Sequence, residues 1–255
     1  MISIDLSEKT ALVTGATGQL GRVMAKTLAE AGADIILHYH QNKKQAFKLA
    51  DEICRIGVRC MTVQADVGDL DSVLAMRDKI AEEFTMPDII VDNAVVQIDK
   101  WVSVLDQAPE DFESQFRSCV MQNVNMAKAF APAMIEKGWG RIIGINTECA
   151  MQCFPTQAAY ASGKRGMDGV MRVLAKEVGP YGITVNQIAP GWTISDRDRQ
   201  NHTEVQPESD KLIPLRRRGT DEEVANAVLF LASDLASYIT GVYLPVCGGN
   251  VMPRI

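Results

Sequence analysis

The sequence predicts an α/β fold, with seven parallel strands in one sheet and helices packed on both faces. Three observations carry that expectation. Short apolar runs alternate with amphipathic stretches of helical length along the whole chain. The first apolar run leads into a glycine-rich turn, Thr14-Gly15-Ala16-Thr17-Gly18-Gln19-Leu20-Gly21, which opens the first helical stretch. No linker, repeat or low-complexity tract divides the 255 residues, a length that one large domain can fill.

The elements follow in order. Residues 10–14 form a short buried strand, and the helix after the glycine turn reaches about Ala31. Residues 35–39 are the second strand and 43–56 the second helix. Residues 60–64 are the third strand, ended by Asp66 and Val67, and a helix covers 70–84. Residues 88–92 are the fourth strand. A long helical stretch then runs from Pro109 toward Glu136. A break is expected near Pro132, because proline lacks the N–H that a helix interior needs. Residues 141–145 are the fifth strand, 160–178 a helix, and 183–188 the sixth strand, stopped by Pro190 and Gly191. A helix over 221–231 and a strand over 242–246 complete the chain. Strands that are apolar throughout belong to sheets covered on both faces. The pattern is that of a doubly wound, Rossmann-type sheet in a single domain, residues 1–255. Ser195 to Lys211 stands apart as a polar run without helical or strand period. Residues 195–213 read as a lid over the substrate.

Apolar residues make up 47% of the chain and charged residues 23%, with a net charge of −6 and a pI near 5.2. That balance offers no basic face for nucleic acid or for an anionic membrane. No apolar run has the length to span a bilayer, and Met1 to Asp5 carries no charged-then-apolar leader. Cys54, Cys60, Cys119, Cys149, Cys153 and Cys247 lack the paired spacing of a zinc site, so no metal is expected. Free thiols fit a reducing, cytoplasmic setting.

Tyr160 and Lys164 are the most informative pair. Four residues apart, they share one helix face. A lysine cation beside a phenol favours the phenolate and lowers its pKa. Such a phenol can hand a proton to a carbonyl while a nicotinamide delivers a hydride. Upstream, Gly15, Gly18 and Gly21 allow a tight turn and let the backbone approach a pyrophosphate at the helix N-terminus.

With Gly182-Ile-Thr-Val-Asn186, Ala189-Pro190-Gly191, Phe230-Leu-Ala-Ser-Asp234 and Ile239-Thr-Gly241, these motifs resemble the short-chain dehydrogenase/reductase family. The likeness runs from about Ser7 to Gly249. It is greatest to the single-domain branch that includes the β-ketoacyl-acyl-carrier-protein reductases. The resemblance implies a nicotinamide cofactor across the C-terminal edge of the sheet and hydride transfer between an alcohol and a ketone. Tyr160 is then the proton donor or acceptor, and Lys164 lowers its pKa and binds the nicotinamide ribose. Thr147 takes the place of the family's serine, which hydrogen-bonds the substrate oxygen; threonine keeps that hydroxyl. Gly15, Thr17, Gln19, Leu20 and Gly21 form the phosphate loop. Asp66 and Val67 flank the adenine, Asn93, Ala94 and Val95 line the cofactor floor, and Pro190, Gly191 and Thr193 meet the nicotinamide end.

Four positions depart from the family's pattern. Gln19 stands where the middle glycine is usual. Val95 replaces a glycine that lets the backbone come close to the cofactor. Cys119 occupies the helix position of a catalytic asparagine, and Cys247 that of an aspartate in the last strand.

Cofactor choice is read at the end of the second strand, where an acidic residue would bond the ribose 2′-hydroxyl and repel a 2′-phosphate. Here Tyr39 takes that place, His40 follows, and Lys43 and Lys44 lie close enough to meet a phosphate. NADP(H) is favoured, with NAD as the alternative.

The leading expectation is an oxidoreductase acting on a polar small molecule such as a sugar, polyol or hydroxy acid. An acyl-carrier-protein thioester would instead need a basic docking patch, from Arg165 and Arg172 or from Arg216 to Arg218. A reading of a different class is a dinucleotide-binding or regulatory protein that has lost turnover, motivated by Val95 and Cys119. The substrate pocket is assigned to the lid and to residues 96–101. The resemblance also implies a homo-oligomer, dimer or tetramer, built through the helices around Cys119 and Tyr160.

Overall fold

Side chains at alternate positions of each strand point to opposite faces, and here both faces are apolar. Ala11, Val13, Ile35, Leu37, Ile89 and Val91 pack on one side of the sheet, and Leu12, Ile36 and Ile90 on the other. A computed structural model describes residues 3–98 and 100–252. Met1, Ile2 and residue 99 of the 96–101 stretch therefore lie outside the described residues.

Seven strands run parallel in the order β3-β2-β1-β4-β5-β6-β7. They are β1 (Thr10–Val13), β2 (Asp34–Tyr39), β3 (Cys60–Gln64), β4 (Ile89–Asp92), β5 (Gly140–Ile145), β6 (Ile183–Pro190) and β7 (Tyr243–Val246). One face carries α1 (Gln19–Glu30), α2 (Lys43–Cys54) and α10 (Asp221–Ala232), through Met24, Leu28, Leu49, Ile53 and Val228. The other carries α3 (Leu70–Glu83), α5 (Gln122–Lys137) and α7 (Ala158–Val178), through Val73, Ile80, Phe130, Met134, Met167 and Met171, and the one-turn α6 (Cys149–Gln152) follows β5. The chain moves from β1 outward to β3, then returns to β4 on the other side of β1. That reversal opens a crevice at the strands' C-terminal ends, where doubly wound sheets bind their ligands.

Local chemistry fixes the helix ends. Asn42 caps α2 by accepting from the Gln45 N–H, and Asp69 caps α3 by accepting from Ser72. Thr220 and Glu223 form a reciprocal capping box on α10. No helix among the described residues is long and apolar enough to cross a membrane.

Three sequence expectations need correction. Helix α5 runs unbroken through Pro132, held by its buried neighbours Phe130, Ala131 and Met134. The irregularity lies earlier: α4 (Pro109–Gln115) passes into a π-helical segment, Phe116–Met121, before α5 begins. Strand β6 does not stop before Pro190. Pro190 pairs with Val246 at its end, where a missing N–H is tolerated. The polar run after Ser195 contains two short helices, α8 (Asp196–Asn201) and α9 (Pro207–Asp210). Ser195 and Asp198 cap α8 reciprocally, so capping supplies the order that apolar periodicity does not.

Candidate active site

The glycine turn is built by close approach. Gly15 has φ +60, and a Cβ on it would lie 2.9 Å from the Ala94 Cα. A Cβ on Gly21 would lie 2.4 Å from the Gly15 carbonyl oxygen, so no larger residue fits there. The Asn93 amide donates to the carbonyls of Thr14 (2.8 Å) and Gly15 (3.2 Å). The Thr14 hydroxyl donates to the Gln122 side chain (2.8 Å) and accepts from the N–H groups of Asn93 (2.8 Å) and Ala94 (3.0 Å). β1, β4 and α5 thus hold the turn from below.

His38 holds it from the side. Its Nδ1 accepts from the Gly15 N–H at 3.1 Å, which leaves Nε2–H to donate to the Ala65 carbonyl at 3.0 Å. Burial pushes its pKa down to about 4, so the ring stays neutral and keeps this donor–acceptor arrangement. Nothing in the chain's local pattern distinguishes His38 from an ordinary strand residue.

Above the turn opens a cleft of about 960 Å³. Gly15, Thr17, Gln19, Leu20 and Gly21 line it together with His40, Asp66 and Val67. Asn93, Ala94, Val95, Tyr160, Lys164, Pro190, Gly191 and Thr193 complete the expected set there, with Thr147 beside them. Val95 leans on the apolar cluster beneath it and forms a wall of the cleft rather than filling it. Gly191 is sterically required, since a Cβ would meet Cys247 at 2.6 Å and the Glu148 carboxylate at 2.9 Å. The turn, with its positive φ and its Cβ-free approach, fits a dinucleotide's pyrophosphate.

Three expected site residues fall elsewhere. Tyr39 is buried and does not line the cleft. Lys43 is exposed, its ammonium 5.6 Å from the centre of the Phe47 ring, and also lies outside. The residues that do face the cleft at the end of β2 are His40, Gln41 and Asn42, none of them acidic. Cys119 is fully buried in the π-helical segment and does not reach the cleft. Its thiol points to the Gln115 side chain at 3.9 Å. Ser114, Arg117 and Ser118, from the same stretch, line the cleft and were not anticipated.

Thr147, Tyr160 and Lys164 meet just beyond β5. Lys164 is 3% exposed, and its ammonium donates to the Ile145 carbonyl at 2.6 Å. Burial lowers its pKa, while the neighbouring Cys119 and Asp92 work the other way. Its nitrogen lies 6.0 Å from the centre of the Tyr160 ring. The expected lowering of the phenol's pKa is overridden in this arrangement. Burial pushes Tyr160 above its ordinary value, and a hydrogen bond from Thr147 only partly opposes the rise. The Trp101 ring stands edge-on to Tyr160, with centroids 5.9 Å apart and planes at 89°.

Sequence reasoning missed the residues that position this centre. Asn146 donates to the Lys164 carbonyl (3.0 Å) and to Gln187 (2.7 Å), and accepts from the Thr147 N–H (2.9 Å). Gln187 in turn donates to Asp168 at 2.8 Å. The Tyr243 hydroxyl donates to the Thr147 carbonyl. One network therefore fixes Thr147 and helix α7 together from β5, β6 and β7.

A family model described as enoyl-(acyl carrier protein) reductase matches residues 15–250. The 3-oxoacyl-(acyl-carrier-protein) reductase FabG of Staphylococcus aureus strain N315 is 34% identical over 96% of this chain and 98% of its own length. This chain belongs to the short-chain dehydrogenase/reductase family. Among solved short-chain dehydrogenases, a gluconate 5-dehydrogenase from Burkholderia cenocepacia, in complex with NADP and tartrate, is similar with a TM-score of 0.88. It is 29% identical over 96% of each chain. An NAD+-bound xylitol dehydrogenase matches with a TM-score of 0.88 and 28% identity, over 96% of this chain and 99% of that one. The short-chain dehydrogenase/reductase fold and the cleft described above make the protein an NAD(P)-dependent oxidoreductase.

Proposed function

We propose that the protein is an NADP(H)-dependent carbonyl reductase or secondary-alcohol dehydrogenase with Tyr160 as its general acid and base. The observation that carries this reading is the meeting of Thr147, Tyr160 and Lys164 in the cleft that the glycine turn opens. A bound nicotinamide supplies the hydride when a ketone is reduced and accepts it when an alcohol is oxidised. Thr147 and Tyr160 hydrogen-bond the substrate oxygen. Tyr160 gives its proton to that oxygen as negative charge develops there, and takes it back in the reverse direction. Burial makes the phenol harder to ionise than an ordinary tyrosine, which favours its role as the acid in ketone reduction. Lys164 keeps a cation close to the phenolate as it forms. Cys119 enters no step.

The absence of a carboxylate among His40, Gln41 and Asn42 supports NADP(H) over NAD(H). The NADP-bound gluconate dehydrogenase relative agrees with that preference. The polar segment 195–213 is the lid, and with the gluconate and xylitol relatives it supports a polar hydroxy or keto substrate. A second reading, an acyl thioester, draws support from the exposed Val96, Trp101, Phe154 and Trp192 on loops at the same sheet edge. It also draws on the 34% identical 3-oxoacyl reductases. Self-association and a reducing, cytoplasmic setting complete the proposal, the latter supported by six free cysteines.

The test is titration with NADPH and NADH by fluorescence, followed by turnover of polar ketones and acyl thioesters. NADPH should bind more tightly. Tyr160→Phe should keep NADPH affinity and lose about 10²–10⁴-fold in rate. NADPH binding with no turnover of either substrate class would favour a protein that has lost its activity.

A further inference from the structure

Gln19 occupies the position where the family pattern has a glycine, and the amide of its side chain is fully engaged by protein partners. Its Nε2 donates to the Ile194 carbonyl at 2.8 Å and to the Asp221 carboxylate at 2.6 Å. Its Oε1 accepts from the Asp196 N–H at 2.9 Å. One amide thus joins the first residue of α1 to the start of the lid and to the start of α10. Arg22, one turn further along α1, pairs with Asp196 at 2.5 Å. Arg199 pairs with the other oxygen of Asp221 at 2.8 Å, and Asp221 is only 2% exposed.

The bonding has a direction. Gln19 and Thr193, next to Ile194, both line the cleft, on the glycine turn and on the loop after β6. The joint therefore ties together two walls of one ligand site. We propose that Gln19 is a positioning residue that couples occupancy of the glycine turn to the placement of residues 194–203 over the substrate. This inference rests on the nicotinamide reading of the cleft. The residue type follows from the partners. Two carbonyl-type acceptors need two donors, and one N–H needs an acceptor. Glutamate would face Asp221 with like charge, lysine could not accept from Asp196, and glycine offers nothing.

The test uses NADPH as ligand, with limited trypsin digestion at the exposed Arg197 of α8 as the readout. Cleavage there reports opening of the segment. In the wild type, saturating NADPH should slow cleavage after Arg197 about tenfold. Gln19→Met, of similar length, should lose that protection even at NADPH concentrations that saturate it. Asp221→Leu, remote from the glycine turn in sequence, should lose it equally, and Asp221→Asn should restore it, because an amide oxygen can still accept from Gln19. Substrate KM should rise in Gln19→Met more than kcat falls. NADPH binding with unchanged protection in both Gln19→Met and Asp221→Leu would overturn the coupling. So would a wild type that binds NADPH and is not protected. A wild type that binds no NADPH would overturn the cofactor reading itself, a separate and recognisable failure.

Discussion

Asp92 is a buried carboxyl with no partner for either oxygen. It ends β4 opposite Gly144 in β5, on the face where the Asn123 Oδ1 approaches, also without a partner. A proton on Asp92 removes the charge that burial penalises. Burial pushes its pKa up to about 8, with Lys164 opposing. The folded value therefore lies above the unfolded value of about 3.9. Stability from this group is full below about pH 4 and is lost as pH rises through about 8. Asp92→Asn should therefore raise Tm by about 3–6 °C at pH 8.5 and by much less at pH 5.5. Equal gains at both pH values would show that Asp92 carries no proton. At this scale the sequence disclosed what spacing discloses. Tyr160 and Lys164 stand four residues apart on one helix face, so spacing pointed to that pair, whereas Thr147 was reached only through the family resemblance. His38, Asn146 and Tyr243 act on partners far away in the chain, and no local pattern marks such residues.

Helix α7 carries both Tyr160 and Lys164, and its seating depends on Gly163. A Cβ at Gly163 would lie 2.9 Å from the Gln115 carbonyl oxygen and 3.0 Å from the Gln115 Cβ. Gln115 is the last residue of α4, just before the π-helical segment, so α7 packs directly on that junction. Gly169, six residues further along α7, faces open space. The two glycines should answer alanine with opposite signs. Gly163→Ala should destabilise by about 1–3 kcal/mol and slow turnover. Gly169→Ala should stabilise by about 0.5–1 kcal/mol and leave turnover unchanged. Urea unfolding with parallel rate assays measures both, and a stabilised Gly163→Ala would show that α7 has slack at its base. The strands and long helices were legible because each repeats its apolar period over many residues. The π-helical segment was not, because one extra residue per turn leaves no mark in composition. Proline is conspicuous, so the break was expected at Pro132 instead. Helices α8 and α9 are too short to establish a period, yet the cap at Ser195 and Asp198 was visible to a search for caps.

For the whole molecule, the outer face of α4 and α7 presents a shallow groove lined by Phe112, Phe116, Arg117 and Gly163. Phe116 is 52% exposed there. A large apolar side chain at such a place fits the centre of an interface between copies. The expected self-association should therefore fail in Phe116→Asp, with a smaller mass by light scattering and an unchanged circular dichroism spectrum. A monomeric wild type would remove the expectation. The doubly wound topology was legible because alternation of element types leaves few alternatives, whereas the substrate is chosen by loops that carry no period.

His38 gives the molecule a boundary between what is locked and what is free. It clamps the glycine turn to the ends of β2 and β3, while His40, Gln41 and Asn42, two residues later, face the cleft with no share in the sheet's ladder. The turn facing the cleft can therefore be rewritten at His40 and Gln41 without loosening the clamp beneath it, while Asn42 must stay to keep its cap on α2.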